Sequence, residues 1–148
     1  MCAKNGHLEV CRLLLQCKAN VEAIAELQVS PNPLGWTCSG SRYTPLHYAA
    51  YYGHLEVCRL LLQCKANVDA RDCGQQSPLT LAISHGHIEV CELLLQCNAD
   101  VEARNSSGWT GLHHAVYHNS MKVCRLLIDS KANVTGMDRF SPSYITIL

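Results

Sequence analysis

Apolar residues recur along this chain in two alternating patterns. Between Leu55 and Cys64 they fall at Val57, Leu60, Leu61 and Cys64, while Glu56, Arg59 and Gln63 point the other way. That spacing predicts a helix with one buried stripe. Just upstream, Leu46, Ala49 and Ala50 form a narrower apolar face, small enough for another helix to approach closely. Thr44-Pro45 marks the start of that first helix. A threonine side chain can cap orphan N–H groups, and proline at the first helical position loses no hydrogen bond. Gly53 marks its end, because glycine takes the left-handed conformation freely. Arg71-Asp72-Cys73-Gly74 then turns the chain back to Ser77-Pro78 and a new helix. The predicted unit is helix, short turn, helix and projecting turn.

The unit is copied. Gly6–Ala23 (GHLEVCRLLLQCKANVEA) returns at Gly53–Ala70 with one change, Glu22 to Asp69, and returns in degraded form from Gly86 and from Asn119. The steps are 47, 33 and 33 residues. A fixed period near 33 describes stacked copies of one small unit, not a globule wrapped around one site. The longer first step places an insertion at residues 24–43, where Pro31, Pro33, Gly35 and Gly40 predict a loop. Its Gly35-Trp36-Thr37 echoes Gly108-Trp109-Thr110. The insertion reads either as a tolerated surface loop or as an enlarged turn in which Leu34 or Trp36 touches a ligand.

Thr44-Pro45-Leu46-His47-Tyr48-Ala49-Ala50 followed by Gly53-His54-Leu55-Glu56-Val57 resembles the ankyrin repeat. Ser77-Pro78-Leu79-Thr80-Leu81-Ala82 and Thr110-Gly111-Leu112-His113-His114-Ala115 are weaker versions at the same spacing. The resemblance implies an all-α ankyrin-repeat solenoid of stacked helix-turn-helix units with projecting β-turn fingers. It divides a single domain, 1–148, into a partial repeat (1–23), the insertion (24–43), full repeats at 44–71, 72–104 and 105–137, and a partial repeat at 138–148. It also implies that the imidazoles of His47 and His113 hydrogen-bond nearby backbone. Two departures stand out. Where the family closes the second helix with Gly, this chain has Lys18, Lys65, Asn98 and Lys131, and each lysine held left-handed is expected to cost on the order of 1 kcal/mol. Gly111 replaces the usual Pro and is expected to loosen its helix start. Both ends look cut, so the helix Leu8–Cys17 is expected to show apolar surface on its outer side, as part of a longer array.

Charge adds little pull of its own, with 12 basic and 12 acidic residues, which argues against a nucleic-acid or membrane partner. Arg12, Arg59, Glu92 and Arg125 interrupt every Leu-rich stretch, and no secretory signal stands at the start, so a cytoplasmic protein is expected. Of ten cysteines, Cys11, Cys58, Cys91 and Cys124 share one repeat position and Cys17, Cys64 and Cys97 another. None forms the short hook that grips zinc, so both sets are expected to be packing thiols in a reducing compartment, with Cys73 as the most reactive. His114 and His118, four apart on one helix, would suit a metal pair, but no further ligand completes a shell. His7, His54 and His87 recur beside the inter-helix glycine and read as structural. The chain lacks a phosphate loop, a nucleophile elbow and a zinc-protease motif. It is therefore expected to be no enzyme and to need no cofactor or metal. The terminal Thr146-Ile147-Leu148 fits a short strand-adding tail only weakly.

Within near-identical units the residues that differ carry the information. They cluster at the ends of the first helices and in the fingers, places that in the ankyrin family line a concave partner-binding groove. Carried onto this chain, the candidates are Tyr51, Tyr52, Arg71, Gln76, His85, Arg104, Trp109, Tyr117 and His118. Trp, Tyr and Arg are the residue types enriched in binding hot spots. The expected function is non-catalytic binding of an unknown protein partner by a monomer. The alternative is a spacer or scaffold segment of a larger protein whose activity lies elsewhere.

Overall fold

A computed structural model describes residues 2–23 and 42–134. Residues 24–41 of the 24–43 insertion and the tail from 135 to 148, with the candidates Leu34, Trp36 and Thr146-Ile147-Leu148, lie outside the described residues. The helices alternate between short and long: α1 (Cys2–Asn5), α2 (Leu8–Gln16), α3 (Pro45–Tyr52), α4 (Leu55–Gln63), α5 (Pro78–Ser84), α6 (Ile88–Gln96), α7 (Gly111–Tyr117) and α8 (Met121–Asp129). Contacts run in one dimension. α1, α3, α5 and α7 pack each on the next, α2, α4, α6 and α8 do the same, and each short helix packs on the long helix that follows it. This is the all-α stack that the period predicts.

The helix ends follow the chemistry of their residues. The Thr44 hydroxyl oxygen accepts the His47 N–H at 3.4 Å, and His47 Nδ1 accepts the Thr44 N–H at 3.2 Å. Ser77 caps α5 through the Thr80 N–H at 3.2 Å. Each long helix closes on a residue of positive φ: Lys18 (61°), Lys65 (64°), Asn98 (62°) and Lys131 (68°). The reversal lets Lys65 N–H reach Leu62 O and Ala66 N–H reach Leu61 O, both at 3.0 Å, which is the Schellman closure. The three lysines therefore sit in the strained conformation anticipated for them.

The buried stripe of α4 differs from expectation at one end. Val57 and Leu61 are buried and Leu60 is half-buried, but Cys64 is exposed, and Cys58 fills the interface instead. Cys64 is the residue at which the chain leaves the helix, so the helical period no longer aims it at a neighbour. The two cysteine sets separate accordingly. Cys11, Cys58, Cys91 and Cys124 are buried, whereas Cys17, Cys64 and Cys97 are exposed and are not packing thiols. Burial holds the Cys58 and Cys91 thiols up at about 12, far from reactive.

Three backbone ladders tie neighbouring units together. His54 Nε2–H donates to Lys4 O, and His87 Nε2–H donates to Tyr51 O, each at 3.0 Å. The imidazoles lie over the glycine of the preceding unit: a Cβ on Gly6 would meet the His54 ring at 2.7 Å, and one on Gly53 would meet His87 at 2.5 Å. Gly86, which faces Ser120 in place of a histidine in the repeat pattern, has open space beside it. In the second ladder Glu22, Asp69 and Glu102 accept the N–H of Asn67, Asp100 and Asn133 in the next unit at 2.6–2.8 Å. The single Glu-to-Asp change between the near-identical copies thus keeps its acceptor. The third joins the fingers, where Ser106 N–H donates to Gly74 O at 2.8 Å.

Gly111 is buried against α5, where an added Cβ would meet Ile83 Cδ1 at 2.7 Å and push that side-chain tip aside. Thr110 and His113 still close the helix start, with Thr110 N–H on His113 Nδ1 at 3.2 Å. The outer side of α2 is apolar as expected: Val10, Leu13 and Leu14 are 48%, 62% and 47% exposed.

Two substitutions separate strain from contact. Gly53 and Gly86 have the same φ, 75° and 74°, so alanine at either meets the same backbone penalty of about 1–2 kcal/mol. Only Gly53→Ala also strikes an imidazole, and chemical denaturation should find it less stable than Gly86→Ala by a further ~1–3 kcal/mol. Equal losses would remove the His87 interlock. Lys65→Gly should raise stability by about 1 kcal/mol in the same assay.

Candidate partner-binding surface

The fingers are built by one Asx residue each. Asp72 Oδ1 accepts the Gln76 N–H at 2.7 Å, and Asn105 Oδ1 accepts the Trp109 N–H at 2.9 Å. The residue two before the N-cap of α3, α5 and α7 is left-handed in each case: Arg42 (42°), Gln75 (58°) and Gly108 (79°). Arginines brace the base. Arg71 Nη1–H donates to Gln75 O at 3.1 Å and to Arg104 O at 3.5 Å, with Asp100 at 3.7 Å, and Arg104 Nη1–H donates to Gly108 O at 3.0 Å.

Rings gather where the short helices end beside these fingers. Tyr51 lies tilted against His85, 3.9 Å between centroids, and 4.8 Å from Tyr52. His85 is oriented by its Nδ1–H, which donates to Leu81 O at 2.9 Å. Tyr43 joins this group, 5.1 Å from Tyr48 and 6.3 Å from Tyr51. Its phenol is pushed up to about 12 by burial first and then by the Asp72 carboxylate. One unit on, Trp109 lies 5.2 Å from His114 and 5.5 Å from Tyr117, which in turn lies 5.2 Å from His118.

A family model described as ankyrin repeats (3 copies) matches residues 72–138, and a second, described as ankyrin repeats (many copies), matches 1–62 and 46–95. The chain belongs to the ankyrin-repeat family. Proteins with ankyrin repeats are generally protein–protein interaction modules and typically non-catalytic. A search of curated proteins returns no match. Among the described residues no helix is long and apolar enough to cross a membrane.

The ankyrin array brings the sequence candidates into two ring clusters and a braced rim. Tyr51, Tyr52 and His85 meet in one cluster, and Trp109, Tyr117 and His118 in the other. Arg71 and Arg104 lie at the finger bases. Gln76 serves mainly through its backbone, since its carbonyl accepts His47 Nε2–H at 3.2 Å. That contact and the Thr44 pair give His47 the backbone role that the ankyrin resemblance implies. Tyr43 and Tyr48 were not among the candidates. Tyr43 precedes Thr44 as Trp109 precedes Thr110, a register signal hidden by the insertion that ends there.

His114 has a different partner from the one its sequence spacing suggests. Asn105 Oδ1 is occupied by the Ser107 and Trp109 N–H groups, so its amide nitrogen faces His114 Nε2 at 3.3 Å and donates to it. The ring proton is then on Nδ1 and donates to Ser84 Oγ at 3.0 Å, while Ser84 Oγ–H donates to Thr80 O at 2.9 Å. The order Ser–His–Asn resembles a hydrolase triad, but every bond runs the wrong way for the imidazole to take a proton from the serine. Both ring nitrogens are engaged within the protein, and among the described residues no group of three or more potential ligands surrounds a metal position.

This network needs a neutral imidazole, and burial, followed by the neighbouring His118 and His113, lowers His114 to about 4 from an ordinary 6.5. Burial lowers His47 as well. A base with a depressed folded pKa contributes stability above its unfolded pKa and loses it as pH falls toward the folded value. Denaturant midpoints should therefore drop between pH 6.5 and pH 4.5, and His114→Gln should drop less over that window. Midpoints that do not change with pH would contradict the assigned network.

Proposed function

We propose that this chain is a non-catalytic recognition module that binds a partner protein in the concave groove of its ankyrin array. The groove is formed by Tyr51, Tyr52, Arg71, Gln76, His85, Arg104, Trp109, Tyr117 and His118. Full repeats at 44–71, 72–104 and 105–137 carry it, and the chain works as a monomer in the cytoplasm. The observation behind this reading is that the rings stand in clusters at a rim and remain exposed at Tyr52 and Tyr117. Aromatic groups held rigid by their neighbours lose little entropy on binding, which is what anchors a partner. The ladders join the units at other positions, and although Arg71 and Tyr51 also reach the next unit, the rings of Tyr52 and Tyr117 are left open to contact.

The spacer or scaffold reading has one observation in its favour. The apolar outer side of α2 suits contact with further structure. The two readings part at the aromatic rim. A variant with Tyr51→Ala, Tyr52→Ala and Trp109→Ala should lose capture of its partner from cell lysate by about 100-fold, as expected of hot-spot residues. Its far-UV helicity should be unchanged. Full capture by the variant would sink the groove assignment and favour the spacer.

A further inference from the structure

Net charge is zero, and the long helices and their closing turns mix both signs, but exposed carboxylates are excluded from one side of the molecule. Among the described residues, the ends of the short helices and the finger loops carry four cations: Lys4, Arg42, Arg71 and Arg104. The single carboxylate within those segments, Asp72, is buried and bonded to its own finger. The other acidic side chains sit elsewhere. Glu9, Glu56, Glu89, Glu92 and Asp129 lie on the long helices, and Glu22, Asp69 and Glu102 serve the backbone ladder. Asp100 offsets part of the Arg71 charge at 3.7 Å. The histidines do not add to the positive charge where their engaged nitrogens keep them neutral, as at His114.

We infer that the groove selects an acidic, extended peptide segment, with carboxylates directed at the Arg71 and Arg104 fingers and apolar side chains against the tyrosine and tryptophan clusters. This inference rests on the groove reading above and specifies its ligand. The spacing supports it. Arg71 and Arg104 occupy the same place in adjacent units, and packed helices lie about 8–10 Å apart. A polyproline-type extended chain rises ~3.1 Å per residue with three residues per turn, so side chains three apart share a face at about 9 Å. The ligand signature is accordingly two acidic residues at positions i and i+3 with apolar residues between them. Four cations spread over the rim of a neutral chain are too few for a polyanion, which favours peptide over nucleic acid.

Panning a random twelve-residue peptide library against the full chain tests this. Enriched peptides should carry net negative charge with Asp or Glu at i and i+3. They should bind more weakly as salt rises and lose about tenfold or more in affinity to an Arg71→Glu, Arg104→Glu variant. Those arginines also brace the fingers, so Lys4→Glu with Arg42→Glu, which leaves the Arg71 and Arg104 bonds in place, provides a second variant that should weaken the same peptides. Neutral or basic peptides that still need Tyr51, Tyr52 and Trp109 would overturn the charge inference and leave the groove standing. Peptides indifferent to the aromatic variant, or no enrichment, would overturn both. A single-stranded oligonucleotide binding more tightly than the peptides would overturn the choice of ligand.

Discussion

Each unit of this protein buries its apolar stripe only by leaning on the next. The helices α2 and α4 have the same nine residues, LEVCRLLLQ, yet Val57 and Leu61 are 2% and 3% exposed while their counterparts Val10 and Leu14 are 48% and 47% exposed. Composition and intrinsic propensity are identical, so position in the stack accounts for the difference. Burial is therefore a property of pairs of units, and the stability of such a chain is close to a sum of units and interfaces. The His–carbonyl and carboxylate–amide ladders add directional bonds to each interface, which fixes how far one unit is rotated against its neighbour.

That arrangement explains where function can reside. Stacking consumes the small residues of the short helices and one side of the long ones, and the ladders consume the positions of the turns that repeat from unit to unit. The remaining freedom lies at the finger tips and the short-helix ends. The fourth unit shows the trade in detail. Asn119-Ser120 replaces the Gly-His pair there, so no imidazole reaches back along that ladder, and His114 makes the bond across the interface to Ser84 instead. The link between units is kept by another residue, and the ring cluster around Trp109 is built on it.

Much of the architecture is legible in the sequence because its signals are local and repeated. Thr44-Pro45, Gly53 and the helical spacing of Val57, Leu60 and Leu61 mark elements without reference to anything distant. The left-handed lysines follow from register alone. What escapes such reading depends on contacts between units. Cys64 continues the helical period in the sequence but lies where the helix has already ended. Gly111 reads as a missing proline, and its burial against Ile83 is seen only when α5 is placed beside it. His114 pairs with His118 at four-residue spacing on paper, whereas in space it bonds to Ser84, thirty residues earlier, and to Asn105. Tyr43 is hidden by the insertion that shifts the period. Of the nine candidates, Tyr51, Tyr52 and His85 meet in one ring cluster and Trp109, Tyr117 and His118 in another, whereas Gln76 acts through its backbone carbonyl, a role no side-chain pattern announces.

The repeated sequence supplies its own control for the central claim. Amides in Cys11–Gln16 and Cys58–Gln63 have the same neighbours along the chain, so their intrinsic hydrogen-exchange rates match, and any difference in protection reports stacking alone. Native-state exchange followed residue by residue should show lower protection in α2 than in α4 at every matched position. Equal protection in the two helices would contradict the account, because it would mean that each unit holds its own fold without its neighbours.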